Sequence, residues 1–325
     1  ILAIAIASAV AAPVAMADTK VYGQFNVAID MISDNVTANN GATSGMVVEN
    51  KAMNVVSRNS RLGFKGAEDL GNGMKAVYQM EGTVDVSQGG GYAVNRNTFL
   101  GLAGGFGTVV MGRHDTPLRM IQPSDGFADN AYAGNNTSAF NGGLAGEHRL
   151  NEVVAYLSPD FNGIKFAVAG TGQNNLQAAG DDESITNAIS ANVTYGSKKS
   201  GIFAAGAVTS GDGINDVTRA TVQYNEAGLL ASFMYNAEDS VGSSMTLGAG
   251  YKMGALTPRA KLSMVSYDAA GTDDSMNMAV GVDYSLGKTT RVYAEFATLD
   301  KNNGSITTTD GDGVTAMSVG LFHKF

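Results

Sequence analysis

The amino-acid sequence predicts an all-β fold: a 16-stranded antiparallel transmembrane β-barrel with short turns at one end, long loops at the other and one loop folded inward. Three observations carry this. Polar and apolar residues alternate along nearly the whole chain after residue 17. The connections between the alternating segments are short and long by turns. No stretch beyond residue 17 is apolar for long enough to span a membrane as a helix.

Residues 1–17 carry no charge and consist almost entirely of Ala, Ile, Val and Leu. They end in Ala15-Met16-Ala17, the small-x-small pattern of a signal-peptidase site. A signal peptide with a truncated front is expected over 1–17, and a barrel over 18–325. The rival, a membrane anchor, is disfavoured because seventeen residues including Pro13 are short for a span. The chain has no Cys, so an exported form would have no disulfide framework. A closed ring of backbone hydrogen bonds can replace one. A net charge of −9 argues against nucleic-acid binding, which needs a basic face.

The alternation can be followed strand by strand. In the first, Val21, Phe25, Val27, Ile29 and Met31 share one face, and Tyr22, Gln24, Asn26 and Asp30 the other. Later, Ile189, Ala191, Val193 and Tyr195 oppose Ser190, Asn192 and Thr194. Sixteen strands are predicted to start near Lys20, Val55, Met74, Arg96, Thr108, Arg149, Ile164, Ile185, Ile202, Thr218, Leu229, Met245, Pro258, Met276, Thr290 and Thr315. Short connections include Asp69-Leu70-Gly71-Asn72-Gly73 and Asn225-Glu226-Ala227-Gly228. Long ones, such as 33–51 and 300–313, are rich in Asn, Asp, Gly, Ser and Thr. A soluble β-sandwich would not call for sixteen evenly alternating strands with every polar face on one side. In lipid, only a closed barrel pairs all the backbone groups of strands. Sixteen strands leave a lumen too wide for side chains to fill, hence a wet interior.

Four stretches carry a family resemblance. Ser60-Arg61-Leu62-Gly63-Phe64-Lys65-Gly66-Ala67-Glu68-Asp69-Leu70-Gly71 resembles the second-strand motif of Gram-negative general porins. Gly101-Leu102-Ala103-Gly104-Gly105-Phe106-Gly107-Thr108-Val109-Val110-Met111-Gly112-Arg113 resembles their hairpin of strands four and five. Val319-Gly320-Leu321-Phe322-His323-Lys324-Phe325 is similar to their closing strand, and Val21-Tyr22-Gly23 to their opening. The resemblance implies a homotrimer in the outer membrane, among its lipids and lipopolysaccharide, with the third loop folded into each pore. It also implies that the barrel-assembly machinery reads the terminal Phe325.

Residues 114–148 form the longest stretch without strand pattern, and a loop of that length is usually functional. The family places its constriction loop here. The loop acids are Asp115, Asp125, Asp129 and Glu147. Opposite them the family places a basic wall, and parity selects its members. With Leu62 and Phe64 facing lipid, Arg61 and Lys65 face the lumen. With Phe99 facing out, Arg96 and Thr98 face in. Arg149 matches the wall arginine at the start of strand six. Gln24 stands where some relatives carry Lys. Arg58 and Arg113 have outward parity, and Arg113 is expected near the outer rim or in a subunit contact. Cations facing acids across a narrow gap would filter small hydrophilic solutes and ions by charge. The rigidly placed wall charges predict a preference for anions.

An enzyme is the first rival reading. His114, His148 and His323 follow no nucleophile motif, and no Cys or His cluster suits a metal. No catalysis, cofactor or metal is therefore expected. Gly211-Asp212-Gly213 and Asp310-Gly311-Asp312-Gly313 read as turns rather than calcium loops. A solute-specific channel of the same fold is the nearer rival, but such pores carry ladders of arginine or aromatic pairs, and here inward aromatics such as Tyr22 and Tyr293 are few. An adhesin or receptor barrel, in which the external loops are the function, is the third.

Overall fold

The computed structural model describes residues 19–32, 36–38, 53–89, 91–124, 126–127, 138–172, 184–304, 306–308 and 313–325. Asp125, Asp129, the expected signal peptide, most of the loop at 33–51 and part of that at 300–313 lie outside the described residues. One sheet closes on itself through antiparallel pairs alone. We label its staves β1 (Lys20–Ile32), β2 (Met53–Ser57 and Arg61–Gly71), β3 (Met74–Val84) and β4 (Tyr92–Ala93 and Thr98–Gly104). There follow β5 (Gly107–Asp115), β6 (Arg149–Leu157), β7 (Ile164–Thr171), β8 (Ala188–Ser197), β9 (Ser200–Gly211) and β10 (Val217–Glu226). The ring is completed by β11 (Leu229–Glu238), β12 (Gly242–Tyr251), β13 (Leu256–Tyr267), β14 (Ser275–Ser285), β15 (Thr290–Leu299) and β16 (Val314–Lys324). With β2 counted from Met53 and β4 from Thr98, each strand starts within three residues of its predicted position, but the longer segment of β2 begins only at Arg61, six residues after Val55.

The outward faces are apolar and exposed, as on Val21, Phe25, Ile29, Met276, Met278, Val280, Val319 and Leu321. This is the pattern of a lipid-facing band. β1 closes the ring against β16, with Gln24 opposite Lys324 and Ile32 opposite Ala316. Phe325 completes the seam: its N–H and C=O both bond to Gly23, at 3.1 and 3.2 Å, and its ring lies 5.4 Å from that of Phe25. His323, an odd residue for a lipid face, satisfies its ring nitrogen on the Thr290 hydroxyl at 2.8 Å.

The short turns are built as the sequence suggests. Between β2 and β3, Gly71, Asn72 and Gly73 all have left-handed φ, which Gly and Asn tolerate best. The strict alternation of short and long connections fails twice at the long-loop end, where 212–216 between β9 and β10 is short. β11 and β12 are joined at the long-loop end by a tight turn through 239–241, with Ser240 at φ 63°.

β2 departs from regular pairing in the way that matters most. Val27 of β1 faces Ser57, and Gln24 faces Arg61, so four steps on β2 span three on β1. The extra residue makes a bulge, with Asn59 at φ 50°. Ser60 repairs the ladder there: its hydroxyl accepts the Asn26 N–H at 2.9 Å and donates to the Asn26 carbonyl. Parity flips across the bulge, so Arg58 and Arg61 both point inward. Outward parity for Arg58 is therefore wrong. Its guanidinium is buried on the inner wall against Asp30 and Ser318.

Candidate pore constriction

Two charge clusters stand on the inner wall of β1 to β6. In the first, Glu81 of β3 accepts from Arg96 and, at 2.8 Å, from the Tyr22 hydroxyl, while Arg61 Nε stands 3.9 Å away. Tyr22 lies flat because its cross-strand partner is Gly63, where a Cβ would meet the ring at 2.6 Å. In the second cluster, Asp115 of β5 receives Arg149 at 2.9 Å and Arg119 at 3.2 Å. Asn97 locks this group together. Its amide donates to Asp115, and its carbonyl accepts from Arg149 Nε at 2.8 Å and from the Asp115 N–H at 3.0 Å. Each cluster thus holds two guanidinium charges against one carboxylate. Arg61 is the most open, with 27% of its side chain accessible.

The expected wall residues Arg61, Arg96 and Arg149 do come together, though not all for the expected reason. Register puts Thr98 opposite Met80 and Arg113, on the lipid side with Leu100 and Met111. Phe99 therefore faces the lumen and Thr98 faces out, the reverse of the sequence-based parity. Arg96 reaches the lumen because two extra residues bow out of β4 between Ala93 and Thr98. Lys65 also faces inward, but four residues from Arg61 toward the short turns, or about 13 Å along the strand. Gln24 points inward and is buried, donating to the Asn59 carbonyl at 3.1 Å, where it braces the bulge. Arg113 has the outward parity expected, and its guanidinium is held by Asn95 and Asn151 of its own chain.

The long loop folds into the barrel. His114 and Asp115 belong to β5, so the loop proper begins at Thr116, which caps a short helix at Pro117–Met120. From there it follows the inner wall. Ser190 and Asn192 of β8 hold Leu118 and Pro117, at 3.1 and 2.7 Å. Lys198 donates to the Met120 and Gln122 carbonyls at 2.8 and 2.7 Å. Gln223 of β10 accepts from the Ser124 N–H at 2.7 Å. Further on, Arg259 and Lys261 of β13 lie over the rings of Phe127 and Phe140 at 5.0 and 4.2 Å. The returning arm is tied by Asn236 and Glu238 of β11 to Ala145, and by Arg219 of β10 to Glu147 at 2.8 Å. Of the four expected loop acids, Asp115 sits beside the basic wall rather than across from it, and Glu147 is neutralised by Arg219.

A loop packed inside a sixteen-strand ring and flanked by wall arginines is a porin arrangement, and comparison of the whole chain agrees. The family model for Gram-negative porins matches residues 3–304. The chain belongs to that family. Similar relatives include the major outer membrane protein P.IB of Neisseria meningitidis serogroup B (strain H44/76), 30% identical over 343 residues, with 96% of this chain and 95% of that protein covered. P.IB of Neisseria lactamica is 29% identical over 339 residues, at the same coverages. Among solved structures, the anion-selective porin from Comamonas acidovorans is similar with a TM-score of 0.72 at 20% identity, covering 95% of this chain and 100% of that one. OmpT of Vibrio cholerae in its trimer form gives 0.64 at 16% identity, covering 95% and 99%. These structural likenesses speak for the fold. The porin is an outer-membrane channel for passive diffusion.

Several charged groups of the porin were not anticipated from the sequence. Glu81 looks there like any polar strand residue. Arg119 sits in the helix of the loop. Arg259, Asp283, Glu295 and Arg291 form a further inner-wall network, with Arg259 bidentate on Asp283 at 2.8 and 2.9 Å. Parity alone marks these four as inward, so that signal is present in the sequence. Lys198, in the turn after β8, has its pKa lowered to about 8, chiefly by burial and then by Arg219, with Glu147 opposing. Its folded value lies below the ordinary 10.5, so the charge penalises the docked state below about pH 8, and the penalty fades as pH rises toward 10.5. Raising pH from 7 to 9 should thus remove one lumenal charge while leaving the loop docked. Open-channel conductance should stay constant while anion preference falls, and Lys198→Met should abolish that pH dependence.

Proposed function

We propose that this porin is a general diffusion pore for ions and small hydrophilic solutes, with a preference for anions at its narrowest point. The supporting observation is the pair of clusters in which two arginines outnumber each carboxylate. Water-exposed cations fixed on a wall attract anions over roughly a Debye length, about 10 Å at 0.1 M salt. Reversal potentials in a potassium chloride gradient across a planar bilayer test it. Anion-sided potentials with large, ohmic, unsaturated conductance are expected. Cation-sided potentials would overturn the selectivity, and saturation by one solute would favour a dedicated channel.

The working form is a homotrimer among lipids and lipopolysaccharide, with outward Arg113 in the subunit contact. Mass measurement in mild detergent should give a heat-sensitive trimer, and monomer at every concentration would count against it. Export rests on a signal peptide over 1–17. Phe325 serves as the signal for the barrel-assembly machinery. Its deletion removes two backbone bonds and an aromatic contact from the seam, so assembled barrel should fall several-fold while unassembled chain accumulates in the periplasm. Undiminished assembly would refute that role.

A further inference from the structure

Apolar side chains on the inner wall are found under the loop, as Phe203, Ala207 and Val217 are beside Leu118, but one apolar stretch lies clear of it, on the short-turn side of Arg61. There a bay of about 470 Å³ opens between β1 and β6. Its size is that of ordinary small-molecule sites. Phe99 and Leu157 form its apolar floor, and the Phe99 ring is steadied by His114, with centroids 5.2 Å apart. Lys20 and Lys65 stand on its rim, directly opposite each other across β1 and β2. No carboxylate is among the described residues lining it.

Two ammonium-bearing side chains on one rim, with Lys65 exposed, give the bay a positive edge that suits an anion. Lys65 pairs with Gln79, and Gln79 with Phe99, so cation and ring are two strands apart, about 10 Å at the backbone. A lysine arm covers part of that span. What remains suits a carboxylate joined directly to one flat ring. The Lys65 ammonium, 4.7 Å from the Tyr22 ring centroid, is held over the bay by that contact.

We propose that this bay is a binding site for small aromatic carboxylates, separate from the arginine clusters. The ammonium groups take the carboxylate, Gln79 offers it an amide donor, and the ring stacks on Phe99 beside Leu157. Such a solute would dwell in the bay during passage rather than diffuse freely.

Single-channel recording with benzoate, acetate and benzyl alcohol as separate probes tests this. Benzoate should interrupt the current at concentrations where acetate and benzyl alcohol do not. Lys65→Gln should raise the half-blocking benzoate concentration about five-fold, the effect of one partly exposed charge contact. Phe99→Leu should shorten each interruption, and Lys65→Gln decides the matter if that variant assembles poorly. Equal block by acetate would show that the ring is not read. Equal block by benzyl alcohol would show that the charge is not read. Benzoate block unchanged by Lys65→Gln would remove the site. Each of those three results overturns the proposal. Reversal potentials recorded in the same membranes report on the arginine clusters separately.

Discussion

Replacing Arg61 and Arg96 together with Ala should abolish the anion preference of this porin and shift its selectivity toward cations. The two guanidiniums are the counter-charges of Glu81, and their loss leaves that carboxylate on the inner wall with only the Tyr22 hydroxyl. The first cluster then changes from one net positive charge to one net negative. A unit charge about 5 Å from a passing ion in water is worth roughly 0.8 kcal/mol, or about four-fold in local concentration. Reversing the sign of a cluster should therefore move the permeability ratio by an order of magnitude at 0.1 M salt. In 1 M salt, where screening shortens to about 3 Å, the shift should shrink toward nothing. The bore should also widen, raising conductance. The Arg61→Lys, Arg96→Lys pair keeps the charge and should keep the selectivity, which separates charge from size. An unchanged reversal potential in the alanine pair would mean that these side chains do not line the narrowest section.

The second large effect should come from Arg219, whose side chain is wholly buried between Glu147 and Asn236. Arg219→Met leaves Glu147 without its cation in a closed site, and breaking a buried pair in this way costs about 3–5 kcal/mol. The sheet itself does not depend on the pair, so the loss should appear in the loop. Its returning arm should detach, giving noisier current and a larger mean conductance, with little change in the heat stability of the barrel. Adding Glu147→Gln to the same chain removes the stranded charge and should restore most of the quiet, smaller-conductance state. If the single variant conducts like the parent, the pair does not hold the loop.

Much of this was legible in the sequence because a strand has period two and a barrel has only two environments. One apolar residue per pair is enough to assign Val319, Leu321 and Phe325 to lipid and Ser318 to the lumen. The errors have two causes. Arg58 lies beyond a one-residue bulge in β2, and a period carried across it comes out reversed. In β4 the apolar Phe99 faces the lumen, so taking its ring as the lipid side reverses Thr98 and makes Arg96 right for the wrong reason. Nothing in Arg58-Asn59-Ser60 announces a bulge except an Asn able to adopt a left-handed φ. The arginines of the site were legible as types and positions. Their partners were not: Glu81 is 15 residues from Arg96 and Asn97 is 18 from Asp115, each on a neighbouring stretch of the sheet, and only register shows that they meet.

The loop has a mechanical consequence for the tube. A ring one residue thick around an empty bore resists flattening poorly, because nothing inside pushes back. From β8 to β14 the wall carries a second layer, the loop, riveted to it by side chains at Ser190, Asn192, Gln223, Asn236, Thr246, Lys261 and Asn277. Among the described residues the loop adds no such layer from β1 to β4, where the cluster of Arg61, Arg96 and Glu81 lies. The shape of the opening beside that cluster is therefore set by the more compliant half of the cylinder. Squeezing the membrane should alter its cross-section there first, unless something outside the ring stiffens that arc.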